Sequence, residues 1–188
     1  MSGKVIIFSA PSGAGKTTLV QWLLQQNLNL QFSVSATSRT RRGSEVHGKD
    51  YYFLTPLEFR IKIAEDAFLE WQEVYEDKYY GTLKEEVSRM LDEGKNVLFD
   101  VDVKGGINIK NYFGEEALSF FVQPPSIDVL EKRLVKRATD SPEIISERVS
   151  KAAYELTFAN EFDHIIVNDV LETAQQECLQ LIKSFLEV

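Results

Sequence analysis

Short apolar runs bounded by turn-forming residues recur along the chain. The run from Val5 to Phe8, with the sequence VIIF, is rich in β-branched residues and leads directly into a loop containing Pro and Gly, which is typical of a strand buried on both faces of a parallel sheet. Similar runs occur in NVLFDVDV (96–103), LSFFVQ (118–123) and HIIVND (164–169). Helix-like segments separate them, and this alternation predicts an α/β fold with a central parallel sheet flanked by helices.

Capping residues predict where several helices begin and end. TPLE (55–58) and TLKE (82–85) both have the T-x-x-E spacing of a capping box, in which the Thr and Glu side chains accept backbone N–H groups of the first turn. Gly94 stands where the second of these helices would end. Ser141 is followed by proline, which favours a further helix with Pro at its first position.

Residues from about 35 to 93 have a different character. FSVSAT, DYYFLT and AFLEWQEVY are short β-rich pieces with aromatic residues, and full crossover helices do not separate them. We predict an inserted, partly antiparallel subdomain here, and a helix-turn-helix lid at about 131–155 whose turn (139–142) is its mobile tip. Trp22, Trp71 and the phenylalanines are expected in the core. The chain is then a single domain over 1–188 whose core segments are about 1–34, 94–130 and 156–188.

Composition and charge limit the classes of partner. With 188 residues, 44% of them hydrophobic and 27% charged, the chain is long enough for one substantial core. The net charge of −8 argues against non-specific binding to nucleic acid or to an anionic membrane, because such binding depends on a basic surface. We therefore expect neither partner, and any phosphate ligand must meet a local concentration of Lys and Arg.

Cysteine and histidine are scarce. Cys178 is the one cysteine, and His47 and His164 stand far apart in sequence, which excludes a disulfide framework and a Cys/His zinc site. The N-terminus has too few consecutive apolar residues for a signal peptide or a membrane span. A cytoplasmic location is expected.

The loop after the first strand has the composition of a phosphate-binding loop. It consists of Ala10, Pro11, Ser12, Gly13, Ala14, Gly15, Lys16, Thr17 and Thr18. This matches G-x-x-x-x-G-K-[ST] except at Ala10, which is tolerable if its φ is negative. Backbone N–H groups would bind phosphate oxygens, Lys16 would reach the β- and γ-phosphates, and the Thr17 hydroxyl would hold Mg²⁺. The dinucleotide pattern G-x-G-x-x-G fails, since Thr18 stands at its third glycine.

A second cluster of cations lies in SATSRTRRG, just before GKDYYF. Arg39, Arg41 and Arg42 with neighbouring tyrosines suit a phosphate monoester, because guanidinium groups bind its oxygens bidentately and Tyr donates a hydroxyl. For this cluster alone, a solvated charged loop explains the sequence equally well.

Together these blocks resemble guanylate kinase. PSGAGKTT, S-x-x-x-R-x-x-R (35–42), GKDYYF, FLEW, YYGT, DVDVKGG, RATDSPE and IIVND follow one another in the order of that family, from residue 4 to residue 169. The resemblance implies a P-loop kinase with an inserted GMP-binding subdomain and a helical lid. It implies transfer of the γ-phosphoryl group of Mg-ATP to GMP, giving ADP and GDP.

The resemblance also implies roles for individual residues. Contacts to the GMP phosphate fall on Arg39, Arg42, Tyr51 and Tyr80. Contacts to the base fall on Ser35, Glu70, Thr82 and Asp102. Asp100 would help to hold Mg²⁺ through water, and the catalytic residues would be Lys16, Arg137 and Arg148. Arg133 ranks lower, because an ion pair on its helix face explains it equally well.

Several alternatives remain open. Singly, Glu70 suits an exposed strand carboxylate, Asp100 and Asp102 suit turn caps, and Tyr79 and Tyr80 suit core packing. A related binding module that grips phosphopeptides is a second class, but such modules are expected to lose the loop lysine. A different base specificity depends on Glu70 and Asp102.

The sequence departs from the family pattern at three places. Lys104 stands where glutamine is usual, and Ala138 stands where glycine is expected. EVYEDKYYG is one residue longer than the common form, so Tyr79 is an alternative to Tyr80 for the phosphate contact.

Overall fold

Two β-sheets organise the chain in the computed structural model, which describes residues 3–137 and 141–187, with the backbone alone at residue 137. The strands are β1 (Val5–Ser9), β2 (Leu30–Phe32), β3 (Ala36–Thr37), β4 (Tyr52–Phe53), β5 (Phe68–Tyr75), β6 (Lys78–Leu83), β7 (Asn96–Asp100), β8 (Ala117–Gln123) and β9 (His164–Val167). The helices are α1 (Lys16–Leu24), α2 (Pro56–Ala64), α3 (Lys84–Asp92), α4 (Val103–Phe113), α5 (Ile127–Arg137), α6 (Pro142–Leu156) and α7 (Leu171–Leu186).

The larger sheet is parallel and has the strand order β2-β7-β1-β8-β9. Its central strand β1 is buried and alternates between two apolar layers. Ile6 and Phe8 pack in the layer under α1 and α7, whereas Val5 and Ile7 pack in the layer under α3 and α4. The predicted α/β fold with a central parallel sheet flanked by helices is confirmed.

This topology brings two loops to one edge of the sheet. Because β1 and β7 are parallel neighbours, with Phe8 beside Asp100, the loops that follow them are adjacent. The Val101 N–H donates to the Phe8 carbonyl at 3.2 Å. The phosphate-binding loop therefore lies next to the acidic turn after β7.

The strand predicted from NVLFDVDV is too long. It ends at Asp100, and α4 begins at Val103. The physical reason is Asp102, whose Oδ1 accepts the Gly105 N–H at 2.7 Å and so caps the helix.

The smaller sheet has the order β4-β3-β6-β5, with β3 and β5 antiparallel to β6 and β4 parallel to β3. It has an apolar cluster of its own, in which Phe59 of α2 stacks on Phe68 at 4.3 Å and on Tyr79 at 5.2 Å between ring centroids. These strands lie within the segment predicted as an inserted subdomain. Trp71, expected in the core, is instead 47% exposed on β5.

The two predicted capping boxes have different outcomes. Thr55 and Glu58 form the complete box at the start of α2, which confirms the first. The second is wrong, because Leu83 occupies the N-cap of α3 and Thr82 lies within β6, where its hydroxyl donates to Glu70. Gly94, with φ 73°, follows the end of α3 as predicted.

The helices α5 and α6, which precede β9, form a helical hairpin. Leu130 and Leu134 of α5 pack with Ala152 of α6, and Ser141 caps α6 as predicted. Residues 138–140, which include Ala138 and the first two residues of the predicted lid tip, lie outside the described residues. Within the described ranges, every helix is too short or too polar to cross a membrane.

Candidate active site

The loop between β1 and α1 turns through two glycines. Gly13 and Gly15 have φ values of 97° and 94°, in the left-handed region that strains any residue with a Cβ. Ala10 is not among the described residues with positive φ, so alanine fits there as predicted. Gly15 is the N-cap of α1, and the helix therefore directs its first N–H groups toward the loop.

Two residues from other elements hold this loop from behind. The Asn168 side chain, just after β9, donates to the Ala14 carbonyl at 2.8 Å, and a Cβ on Gly15 would lie 2.3 Å from its Nδ2. Arg133 of α5 donates to the Asn168 carbonyl at 2.8 Å. Arg133 thus donates hydrogen bonds to backbone carbonyls near the loop. The sequence alone explained this arginine equally well by an ion pair on its helix face.

Sequence reasoning assigned no role to Asn168. The available signal was its position directly after a parallel strand, at the edge where the phosphate-binding loop lies. Asn168 and Arg133 also line a cleft of about 450 Å³ behind the loop, together with Lys136 and Asp169.

The lysine of the loop points to the acidic turn. Lys16 Nζ lies 2.5 Å from Asp100 Oδ1 and donates to the Val101 carbonyl at 2.6 Å. The same residues line a cleft of about 370 Å³ with the exposed Thr17. Asp100 is therefore an ion-pair partner of the loop lysine, and the turn-cap alternative is wrong for it.

An arginine and two tyrosines converge in the smaller sheet. The Arg39 guanidinium lies 4.8 Å from the centre of the Tyr51 ring, and the Tyr51 and Tyr80 rings are 6.1 Å apart. Tyr79 is instead buried against Phe59, so the geometry favours Tyr80 as the tyrosine of this cluster.

The carboxylate of Glu45, to which sequence reasoning gave no role, holds this arginine. Its two oxygens accept from the Nη1 and Nη2 groups of Arg39 at 2.7 and 2.6 Å. Glu45 also accepts the Arg42 N–H, while the Arg42 side chain is exposed. The first of these partners, Arg39, and then the Arg42 N–H hold the pKa of Glu45 down at about 2.

Two acceptors and a hydroxyl form the other end of the site. Thr82 donates to Glu70 Oε1 at 2.8 Å. A Cβ on Gly105 would lie 3.2 Å from Asp102 Oδ1 and 3.3 Å from Glu70 Oε2, so both carboxylates converge on this glycine. Burial raises the pKa of Glu70; the Thr82 hydrogen bond lowers it in part, and the charge of Asp102 raises it further.

These contacts resolve two alternatives. Glu70 is half-buried, so the exposed-carboxylate alternative is wrong. Asp102 does cap α4, as the turn-cap alternative held, and it also lines the cleft beside Lys16. Ser35 lies just before β3, where its carbonyl accepts the Tyr52 N–H at 2.9 Å.

The helical hairpin, predicted to be a lid, contributes further groups to the cleft. Lys151 and the buried Glu155 of α6 line it, and Arg148 lies about two turns before Glu155 on the same helix, at the spacing of a shared face. Burial raises the pKa of Glu155. The side chain of Arg137, a predicted catalytic residue, lies outside the described residues.

Comparisons with known proteins agree with one another. The family model described as "Guanylate kinase" matches residues 2–185. The chain is 62% identical to the guanylate kinase of Bacteroides thetaiotaomicron over 99% of this chain and 91% of that one, and 54% identical to that of Porphyromonas gingivalis over 97% and 98%.

Solved structures are similar as well. A guanylate kinase from Anaplasma phagocytophilum superposes with a TM-score of 0.70 at 27% identity, covering 97% of this chain and 86% of that one. A shikimate kinase from Bacteroides thetaiotaomicron, 18% identical, gives 0.53 over 98% and 99% of the two chains, a likeness of fold alone.

Proposed function

The chain belongs to the guanylate kinase family, whose members phosphorylate GMP with ATP, and from that premise we propose how its residues divide this reaction between two substrates. One observation carries the proposal. The last residue of β7 is Asp100, which pairs with Lys16, and the short turn after it supplies Asp102, which faces Glu70. The turn thus joins the cleft at the phosphate-binding loop to the acceptor groups of the smaller sheet.

ATP would bind with its phosphates on the loop. The N–H groups around Gly13 and Gly15 and the start of α1 suit the β- and γ-phosphates, and Lys16 would exchange its contact with Asp100 for a phosphate oxygen. Its cation would then balance charge that develops during transfer.

Mg²⁺ would be held mostly by ATP itself. Within the described ranges, no group of three or more His, Cys, Asp or Glu could hold an ion alone. Thr17 and Asp100 line one cleft and offer oxygen donors, which fits an ion that keeps phosphate and water ligands. Bound there, Mg²⁺ would neutralise charge on the transferring group.

GMP would lie between the smaller sheet and the turn after β7. Arg39, Arg42, Tyr51 and Tyr80 would donate to its phosphate. Glu70 would accept the ring N–H and one amino hydrogen of guanine, and Asp102 the other, while Thr82 and Ser35 complete the base contacts. Adenine lacks this donor pattern and would leave buried polar groups unpaired.

The lid would bring the remaining cations. Arg137 and Arg148 would close on the transferring phosphoryl group and exclude water. No covalent intermediate is needed, because phosphoryl transfer depends chiefly on positioning and charge balance. A cytoplasmic location is part of the proposal, and it is consistent with a single buried thiol, Cys178, whose pKa burial raises to about 12.

A coupled assay of ADP release across GMP, IMP and AMP tests this function. We expect GMP to be phosphorylated best, IMP less well because it lacks the amino group, and AMP about 10⁴-fold less well than GMP. Lys16→Ala, assayed in parallel, should lower turnover by about two or three orders of magnitude and so assign the activity to this chain. Equal rates with AMP and GMP would contradict the guanine assignment.

A further inference from the structure

The hydrogen bonds of Arg39 divide its guanidinium into two edges. Glu45 takes one N–H from each terminal nitrogen, and the Thr40 carbonyl accepts from Nη1 at 3.0 Å. Both hydrogens of Nη1 and one of Nη2 are used in this way. The Nε hydrogen and the second Nη2 hydrogen lie along the other edge of the planar fork, and two such parallel donors match a phosphate.

The Arg39 side chain is firmly enclosed. It is 8% exposed, and its guanidinium lies 4.8 Å from the centre of the Tyr51 ring and 5.7 Å from that of Phe53. A free arginine samples many rotamers, and binding a phosphate would have to fix them. Here the carboxylate and the aromatic residues have already fixed the fork.

Glu45 also closes the loop that carries the second arginine. Its Oε2 accepts the Arg42 N–H at 2.8 Å, and its own N–H donates to the Arg42 carbonyl at 3.1 Å. One residue therefore fixes the side chain of Arg39 and the backbone at Arg42.

We propose that Glu45 is a positioning residue for the GMP phosphate, which occupies one edge of the Arg39 fork so that the other edge meets the substrate. This inference rests on the proposed function and deepens it. Glu45 does not touch the substrate itself. It acts through the two arginines, and it remains ionised throughout the neutral range because Arg39 holds its pKa low.

The opposite role for Glu45 is that of a competitor. In that case the carboxylate would occupy the phosphate position at rest, and GMP would have to displace it. The geometry favours positioning, since Glu45 uses the terminal edge of the fork and is tied to the backbone at Arg42. The two roles predict opposite effects when the charge is removed.

Glu45→Gln tests the inference, with wild-type phosphorylation of GMP measured first. The amide keeps the size of the side chain but has only one acceptor oxygen, whereas the two terminal nitrogens of Arg39 donate to two carboxylate oxygens in the wild type. We expect the KM for GMP to rise about tenfold or more, while kcat and the KM for ATP stay near wild type. Inhibition by guanosine, which has no phosphate, should be unchanged.

Glu58→Gln is the matched control. Glu58 also accepts a backbone N–H in an exposed turn, but at the start of α2, so its loss affects helix capping alone. This variant should leave both the KM for GMP and the inhibition constant of guanosine unchanged. Glu45→Asp keeps the charge, but its side chain is one methylene shorter and holds the carboxylate away from the two nitrogens, so it should weaken GMP binding as well.

The outcomes separate the two levels of the proposal. If the wild type fails to phosphorylate GMP, the proposed function fails. If the wild type is active and Glu45→Gln binds GMP as tightly as the wild type or more tightly, the positioning role is overturned in favour of competition. A parallel loss of GMP and guanosine binding would mean a merely structural role and would also overturn it.

Discussion

Glu70 shows that a single residue can be unfavourable for the fold and necessary for the site. Burial raises the pKa of this carboxyl above its usual range. An acid with a raised folded pKa stabilises the protein below its unfolded pKa, and this contribution is lost as the pH rises through the folded pKa. At neutral pH the ionised Glu70 therefore costs stability, which the proposed guanine contacts would offset on binding.

Glu70→Gln should accordingly raise the melting temperature of the ligand-free protein at neutral pH and lower kcat/KM for GMP. The amide oxygen still accepts the Thr82 hydroxyl, but the buried charge is removed. The gain in melting temperature should vanish in acid, where wild-type Glu70 is protonated. Thermal unfolding at several pH values checks this, and an unchanged or lower melting temperature at neutral pH would contradict it.

The Glu58→Gln variant serves as a control in which the melting temperature at neutral pH should change in the opposite direction. Hydrogen bonds from Thr55 lower the pKa of Glu58, so its stabilising contribution is present above its unfolded pKa and is lost in acid. This variant should lower the melting temperature at neutral pH.

At the residue scale, sequence predicts groups that belong to a local pattern. Lys16 and Thr17 follow from the loop spacing, and the glycine conformations agree with it. Glu45 and Asn168 escape prediction because their roles are defined by distant or non-periodic partners. Asn168 bonds to Ala14, 154 residues earlier.

At the element scale, the two T-x-x-E segments show where local rules end. Thr55 is itself extended, with φ −74° and ψ 158°, and caps α2. Thr82 has the same spacing but lies opposite Glu70 on the β5–β6 hairpin, and that cross-strand partner takes its hydroxyl. Tertiary pairing decides between the two outcomes, and the four-residue pattern carries no information about it.

One buried contact links β8 to the segment before β9. Asp163 accepts the N–H and the hydroxyl of Ser119, both at 2.8 Å, and pairs with Lys110 at 2.9 Å. Burial alone would raise the pKa of Asp163, but the bonds from Lys110 and Ser119 outweigh it and lower the pKa. Its stabilising contribution is present above the unfolded pKa and is lost as the pH falls through the folded pKa.

Asp163→Ala should lower the free energy of unfolding by about 1 to 3 kcal/mol at neutral pH, because it leaves the buried Ser119 groups unpaired. The difference from wild type should shrink in acid. Denaturant titrations measure it, with Glu93→Ala as control, since Glu93 pairs with Arg89 on the surface and its side chain is 48% exposed. The control should change stability by less than about 1 kcal/mol; equal losses in both variants would contradict the assignment.

At the scale of the whole molecule, the two sheets differ in how far the sequence predicts them. The alternation of strands and helices indicates the parallel sheet, because each of its longer strands is an apolar run. The smaller sheet is not predictable in detail: β3 and β4 have two residues each, and β3 pairs with β6 more than forty residues later. Such short strands carry no periodicity of their own.

The proposed groups are divided among the loop, the smaller sheet and the lid, so we expect the protein to become more compact when both substrates bind. X-ray scattering should show a smaller radius of gyration for the protein with both GMP and a non-hydrolysable ATP analogue bound than for the protein with only one of these ligands. Guanosine in place of GMP is the control, because it lacks the phosphate that the arginines bind. No change with both ligands at saturation would argue against closure.

The bond from Arg133 to the backbone behind the phosphate-binding loop has a consequence for energetic coupling. Arg133 lies on α5, the first helix of the proposed lid, yet its partner Asn168 donates to the Ala14 carbonyl. If closure of α5 moves this chain of bonds, then the loop and the lid share one equilibrium. Thermodynamic reciprocity then requires that ATP favour the closed lid by the same factor by which closure tightens ATP binding.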